Sequence, residues 1–454
     1  MELTDLGLAA AAAAIRDGEV SSTELVDACL DRIAAREETV RAWTFLDRDH
    51  ARAQAAAADR LRKEGAALGP LHGVPVGVKD IFDTADMPTE DGTVLHAGRQ
   101  PARDARAVAL LRAAGAVVLG KTVTTELAVY TPGKTRNPHD PSRTPGGSSS
   151  GSAAAVADRM VPFALGSQTN GSVIRPASYC GVVGYKPSHG LVSRAGMLRQ
   201  SRLLDHVGVF ARTIEDAALG AEVLLGHDPK DEDTRPRARL PLSRVAAEEP
   251  PLPPRLAFVE TPAWPEAEES VGAAFAELRE LLGERIATVA LPGAFADAIE
   301  CHRAILEADL AVSFQQEYER GREKLSRRLV EMIESGQRRT APEYIRACAR
   351  RPILRGVLDD IFEEFDAIVT PATTGEAPVG LESTGSPIFC TIWTYCGVPA
   401  VSLPLLVGPA GMPIGVQLVG AYGDDARLLR TARWLAQFVA GDGKARRQRS
   451  ARRR

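Results

Sequence analysis

Gly146-Gly147-Ser148-Ser149-Ser150-Gly151-Ser152-Ala153-Ala154-Ala155-Val156-Ala157 and, shortly after it, Gly166-Ser167-Gln168-Thr169-Asn170-Gly171-Ser172 are the stretches on which the reading of this chain turns. Both set serines among glycines and other small residues. Small side chains let backbone amides approach a bound molecule closely, and amides so presented stabilise the negative oxygen of a tetrahedral intermediate. A nucleophile with its oxyanion hole is one reading of the pair; two ordinary polar turns is the other. A serine nucleophile also needs a base. Gly73-Val74-Pro75-Val76-Gly77-Val78-Lys79-Asp80 supplies a lysine at the end of an apolar run, where burial disfavours the ammonium. Strand-end lysines also simply snorkel to water. To serve as a base the amine must be neutral near pH 7, so its pKa must fall from about 10.4 by roughly three units.

Two local patterns imitate other chemistry. Gly115-Ala116-Val117-Val118-Leu119-Gly120-Lys121-Thr122 fits the phosphate-loop expression G-x-x-x-x-G-K-T, but its four middle residues read as a buried strand whose amides pair in a sheet. Lys121 then reads as a strand-end lysine, and a nucleotide-binding module is a remote alternative. Gly147-Ser148-Ser149-Ser150-Gly151 fits the nucleophile-elbow expression G-x-S-x-G, yet the proline-punctuated residues 137–145 before it do not make the strand an elbow requires. A serine–histidine enzyme would draw its base from His189, His206, His227 or His302, none in a distinctive setting, so each reads as surface or packing.

Composition narrows the class. At about 150 residues per domain, 454 residues allow three domains or one large α/β unit. A formal charge of −4 argues against nucleic-acid or anionic-membrane binding by bulk charge. No run reaches the roughly 18 apolar residues of a membrane helix, and the alanine-rich start follows Glu2 and Asp5 instead of basic residues, so neither anchor nor signal peptide is expected. The six cysteines show no C-x-x-C or Cys/His ligand spacing. A reduced, cytoplasmic protein without structural metal is the expectation.

Along the chain, Ser21-Ser22-Thr23-Glu24 predicts a capping box opening a helix to about residue 36. Residues 104–114 read as an amphipathic helix closed by Gly115, with 116–119 a strand; 213–225 read as a helix ended by Gly226. Charged, proline-rich residues 228–255 look like a long surface excursion. Strand 256–259, helical spacing over 266–282, 295–317 and 342–365, strands at 367–370, 398–403 and 414–419, and a closing helix 424–439 complete an α/β pattern. Interleaving of this kind fits one large domain over 1–440 with a central mixed β-sheet covered by helices. Residues 441–454, rich in Lys and Arg, read as a basic, solvated, disordered tail.

With these motifs in hand, the chain resembles the amidase signature family, whose hallmark is a Gly-Gly-Ser-Ser-Gly-rich stretch like 146–157. The likeness runs from the capping box near Ser21 to Gly397-Val398-Pro399-Ala400-Val401-Ser402-Leu403-Pro404 and Pro413-Ile414-Gly415-Val416-Gln417. The resemblance implies Lys79 as base, Ser148 as a bridging serine after a cis Gly147–Ser148 peptide, and Ser172 as nucleophile. It places the oxyanion hole at the amides of Thr169, Asn170, Gly171 and Ser172. The commoner family pattern around the nucleophile is Gly-Thr-Asp-x-Gly-Gly-Ser-Ile-Arg-x-Pro-Ala. Here Gln168 replaces the acid, Asn170 the first glycine, and Ile174 the arginine, with Arg175 one place later. Loss of an acid and a base together suggests a buried ion pair exchanged as a unit.

The function so implied is a cofactor-free, metal-free hydrolase of non-peptide carbon–nitrogen bonds, acting on a small amide, anilide or carbamate (urethane), with aryl esters as a side activity. A homodimer is possible in this reading. The alternative within the family is the amidase subunit of a glutamine-dependent tRNA amidotransferase, which requires partner subunits. Tyr130, Ile388, Phe389 and Trp393 are the apolar residues singled out for substrate binding, against the plainer role of core packing.

Overall fold

The computed structural model describes residues 2–451. Eleven strands form one sheet: β1 (Trp43–Leu46), β2 (Pro75–Lys79), β3 (Val117–Thr122), β4 (Phe163–Gln168), β5 (Val183–Lys186), β6 (His206–Ala211), β7 (Leu256–Glu260), β8 (Ile286–Ala290), β9 (Ala367–Pro371), β10 (Ala400–Val407) and β11 (Pro413–Val419). Their order is β1-β3-β2-β4-β6-β5-β10-β11-β9-β7-β8. The sheet is mixed, as expected. β2 runs parallel to both β3 and β4, β7 runs parallel to β8 and β9, and the remaining pairs are antiparallel.

Alternation along the strands divides the apolar core in two. Val401, Leu418, Phe258 and Val369 enter one cluster, while their neighbours Ala400, Val419, Ala257 and Ile368 enter the other, because successive side chains point to opposite faces. Helices Ser22–Val40, Ile214–Leu224 and Arg106–Ala113 contribute to the first cluster. Helices Ala298–Ser313, Arg327–Arg338, Ala341–Glu364 and Ile388–Cys396 cover the second. A sheet clad on both sides by helices has central strands buried throughout, and β2, β3 and β4 are buried at every position.

The local rules act as the sequence implies. Ser21 Oγ accepts from the Glu24 amide at 3.1 Å and the Glu24 carboxylate accepts from the Ser21 amide at 2.7 Å, the reciprocal capping box. Gly115 has φ of 89°, the left-handed conformation that closes the preceding helix. β3 runs from Val117 through Gly120, Lys121 and Thr122, and the amides of Gly115 and Ala116 before it donate to the Arg112 and Leu111 carbonyls, so the phosphate-loop pattern is a helix end and a paired strand instead of a phosphate cradle. Lys121 is buried, 2.9 Å from the Phe82 carbonyl and 3.2 Å from Asp80 Oδ1.

Two expectations are refined. Residues 228–255 are more than an excursion: they include helix Leu242–Ala247, and Arg194 clamps them through Asp231 and Asp233, both at 2.6 Å. The closing helix runs Asp425–Ala451, reaching into the stretch read as a tail, whose last residues 452–454 lie outside those described. All six cysteines are unpaired, and no helix among the described residues is long and apolar enough to cross a membrane.

Candidate active site

The site is assembled where the parallel pair β2/β4 ends. Val76 pairs with Phe163 and Val78 with Leu165, so the carboxyl ends of the two strands emerge side by side and deliver Lys79 and Ser167 to one point. Lys79 Nζ lies 2.8 Å from Ser167 Oγ and 2.7 Å from Ser148 Oγ. The lysine is completely buried and Ser148 is 1% exposed. Burial drives the Lys79 amine well below its ordinary range, with the carboxylate of Asp205 opposing the shift. Ser167 is a contact that sequence reasoning missed. The stretch 166–172 reads as flexible polar backbone, whereas Gly166, Ser167 and Gln168 end a central strand.

The two serine segments are brought together by the helices they open. Ser148 precedes helix Ser150–Ala157 by two residues, Ser172 precedes helix Ile174–Cys180 by two, and these helices pack against each other. Gly147–Ser148 is a cis peptide, as the resemblance implies. Arg175 fastens the start of the first helix to its surroundings: its Nη2 donates to the Gly147 carbonyl at 2.7 Å, and Nη1 donates to that of Gly385. Ser172 is buried at the same end. Among the described residues no hydrogen bond joins its hydroxyl to Ser148, so the structure closes the Lys79–Ser148 contact and leaves the Ser148–Ser172 contact open.

The turn 169–172 is held from behind. His302 Nε2 donates to the Thr169 carbonyl at 2.9 Å, and the Thr394 hydroxyl donates to the Asn170 carbonyl. These peptides are trans, so the amides of Asn170 and Gly171 point opposite to the anchored carbonyls. Among the described residues the amides of Asn170, Gly171 and Ser172 donate to no protein acceptor. The Thr169 hydroxyl donates to Asp205 Oδ1 at 2.6 Å, and Asp205 Oδ2 accepts the amides of Gln200 and Ser201 at 2.9 and 3.0 Å. Burial raises the Asp205 carboxyl to about 6 despite those bonds. His302, which reads in sequence as surface or packing, is buried, and desolvation lowers it to about 4. Nothing local in the sequence singles it out, because its partner lies on a distant strand end.

Where the commoner pattern has an acid and a base, this chain places two neutral side chains. Gln168 Oε1 accepts the amides of Val173 and Ile174 at 2.8 and 3.0 Å while its Nε2 donates to Thr394 Oγ1 at 2.9 Å. Ile174 packs into the second apolar cluster. A neutral amide thus satisfies the helix start, and Arg175, fully buried, is held by carbonyls instead of a carboxylate.

Beside Asn170 opens a cleft of about 440 Å³, lined by Tyr130, Asn170, His302, Arg328, Ile388 and Thr391 among others. It separates the four residues singled out for substrate binding. Tyr130 and Ile388 line it. Phe389 and Trp393 are a correction: at 1% and 0% exposure they pack in the core, Phe389 with its ring centroid 6.5 Å from that of Trp264. The reason is helical phase. In Ile388–Cys396, positions 388 and 391 share the cleft side, while 389 and 393, one turn apart, share the core side.

The elbow alternative finds no support here. Ser149 is buried, its hydroxyl 3.2 Å from both the amide and the carbonyl of Ser167, a tie between a helix start and β4. His189 and His206 stack edge-on with centroids 5.2 Å apart, and they bond the Arg202 and Leu204 carbonyls.

Comparison with known proteins agrees with this architecture. The family model described as Amidase matches residues 24–429. The A subunit of glutamyl-tRNA(Gln) amidotransferase from Anaeromyxobacter dehalogenans is 37% identical over 96% of this chain and 96% of its own, and that of Chloroflexus aurantiacus is 34% identical over 94% and 96%. Among solved structures, peptide amidase from Stenotrophomonas maltophilia superposes with a TM-score of 0.83 at 31% identity, covering 96% of this chain and 97% of its own. A chain of the vestigial complex bearing on the origins of an s-triazine catabolic enzyme superposes with a TM-score of 0.89 at 30% identity, covering 95% and 98%.

Proposed function

Because the chain belongs to the amidase family and is a hydrolase of carbon–nitrogen bonds, we propose that Lys79, Ser148 and Ser172 form its reaction relay and that the substrate is a small non-peptide amide, anilide or carbamate. The observation that carries this reading is a fully buried lysine amine whose partners are hydroxyls, with Ser148 at 2.7 Å. Held neutral, the amine accepts the Ser148 proton while Ser148 accepts that of Ser172; rotation of the Ser172 hydroxyl on substrate binding closes the second contact. Ser172 Oγ bonds to the carbonyl carbon, and the amides of Asn170, Gly171 and Ser172 receive the negative oxygen. Collapse breaks the carbon–nitrogen bond, the proton returns through Ser148 to the leaving nitrogen, and water then cleaves the acyl ester by the same relay.

A second reading, which the curated relatives favour, is the amidase subunit of a glutamine-dependent tRNA amidotransferase. Residues 168, 170 and 174, where the commoner nucleophile pattern is not kept, favour a substrate of its own. The isolated chain assayed on glutamine and on a chromogenic panel with amide, ester and carbamate links to one leaving group separates the two. Turnover of the panel supports the first reading. Glutamine hydrolysis that appears only with added partner subunits supports the second. In either case S172A and K79A must each lower kcat by about 10³ or more; full activity in either variant removes the relay.

A further inference from the structure

Helix Ala341–Glu364 carries apolar residues on both of its faces. Leu354 and Leu358 on one face lie in the core, where Arg351 donates to the Tyr395 carbonyl at 2.6 Å. The other face is open. Ile345 is 63% and Ile353 60% exposed; Val312, on the neighbouring helix one turn beyond the Asp309 that bonds Tyr344, is 76% exposed. Single apolar residues at a surface are ordinary, but these belong to a track. Pro342, Arg346, Ala349, Ile353, Gly356 and Asp360 are all exposed and follow one another in steps of four and three, the 3.5-residue spacing of a seam between two helices.

The charges on this face sort by end. Arg346 has no carboxylate partner among the described residues, whereas Arg350 is paired with Asp297 at 2.7 Å and Glu343 is occupied by the Thr340 amide at 2.7 Å. Towards the other end Asp359, Asp360 and Glu363 are exposed and unpaired among the described residues, and Arg355, one turn before Asp359, turns inward to the Cys396 carbonyl at 3.0 Å. Arg346 and Asp360 each stand seven residues from Ile353, on opposite sides of it. A second copy of the helix laid antiparallel across Ile353 therefore sets each Arg346 against the other copy's Asp360, with the isoleucines meeting at the two-fold axis. A parallel copy would set like charges side by side.

We propose that this face is a self-association surface, on which the chain pairs with a second copy of itself through antiparallel contact of helix Ala341–Glu364 centred on Ile353. The 24 residues span about 36 Å, and a face about 12 Å wide buries roughly 860 Å² over two copies, below the roughly 1,200 Å² of stable complexes. The pairing is accordingly weak, with a dissociation constant on the order of 10 µM.

Sedimentation velocity of the full chain from about 1 to 100 µM, in about 50 mM salt where exposed charges are least screened, tests this. The mass should rise from that of one copy towards that of two. R346E and D359K/D360K should each associate at least tenfold more weakly, because each sets like charges opposite one another. Their equimolar mixture should pair again, since each contact then joins opposite charges. Neither a misfolded variant nor a face built for a different protein would regain pairing on mixing. A chain that stays monomeric at every concentration, variants that associate as wild type does, or a mixture that stays monomeric overturns the proposal.

Discussion

Replacing Lys79 by Met tests the neutral amine through stability instead of rate. The substitution keeps the length of the side chain at the end of β2 and removes the only proton-binding group there. In the folded protein burial holds the amine well below its ordinary 10.5, whereas in the unfolded chain it returns to that value. Between the two values the unfolded state binds one more proton, so the stability of the wild type rises with pH there, by about 1.4 kcal/mol per unit. Above 10.5 neither state is protonated and the burial penalty vanishes; below the folded value both are protonated and it is complete. K79M has no such slope. Other groups cancel in the comparison. Asp205, whose charge acts on Lys79, is raised to about 6 and is ionised in both proteins across the chosen window. The stability of K79M relative to wild type should therefore fall by about 2 kcal/mol between roughly pH 8 and pH 9.5. Equilibrium urea unfolding of both proteins at three or four pH values in that window reads the difference directly. A difference that stays flat would mean a charged Lys79 in the folded state, and a charged amine cannot accept a proton from Ser148.

His302, neutral down to about 4 in the fold and near 6.5 when unfolded, makes stability fall by about 3 kcal/mol as pH drops through that interval; H302Q should flatten this acid limb in thermal melts. A methyl group on Gly151 would lie 2.2 Å from the Ala42 carbonyl oxygen and 2.4 Å from the Val123 nitrogen, both backbone, so G151A should cost about 3 kcal/mol or more in urea unfolding. S149A should cost about 1 kcal/mol of stability and leave kcat within twofold of wild type, since its hydroxyl only ties helix to strand; a thousandfold loss of kcat would restore the elbow reading.

What the sequence makes legible is what short-range rules decide. The capping box at Ser21, the glycine close at Gly115 and the strand character of 116–119 follow from neighbouring residues; the box and the glycine close are present, and the strand runs Val117–Thr122. Proline spacing likewise excludes the elbow, and strand pairing excludes the phosphate loop. What stays hidden depends on partners distant in the chain. Ser167 meets Lys79 only because of the register of β2 on β4, 88 residues apart, and His302 meets Thr169 across 133 residues. Phe389 and Trp393 show the same limit in reverse. Both are large and apolar near the cleft, and only the phase of one short helix sends them to the core.

The balance of charge around the relay follows from the residues at 168, 174 and 175 together. A carboxylate at 168, beside the amides of Val173 and Ile174, would set a negative charge close to the developing oxyanion; the amide of Gln168 accepts the same two hydrogen bonds without it. Ile174 needs no partner. Arg175 remains a cation in a fully buried place, its burial penalty offset by bonds to the Gly147 and Gly385 carbonyls instead of by an opposite charge. It therefore sets a positive charge one peptide away from Ser148, where low surrounding dielectric strengthens its reach. That charge favours a negative oxygen at the turn 169–172, one condition the proposed relay needs; the other, an uncharged Lys79, is favoured by the burial of its own amine. Asp205 works in the opposite direction on Lys79, but its nearest bonds go to Thr169, Gln200 and Ser201, which spread its charge over the scaffold of the turn. A site so biased should hold anions at its mouth more readily than cations.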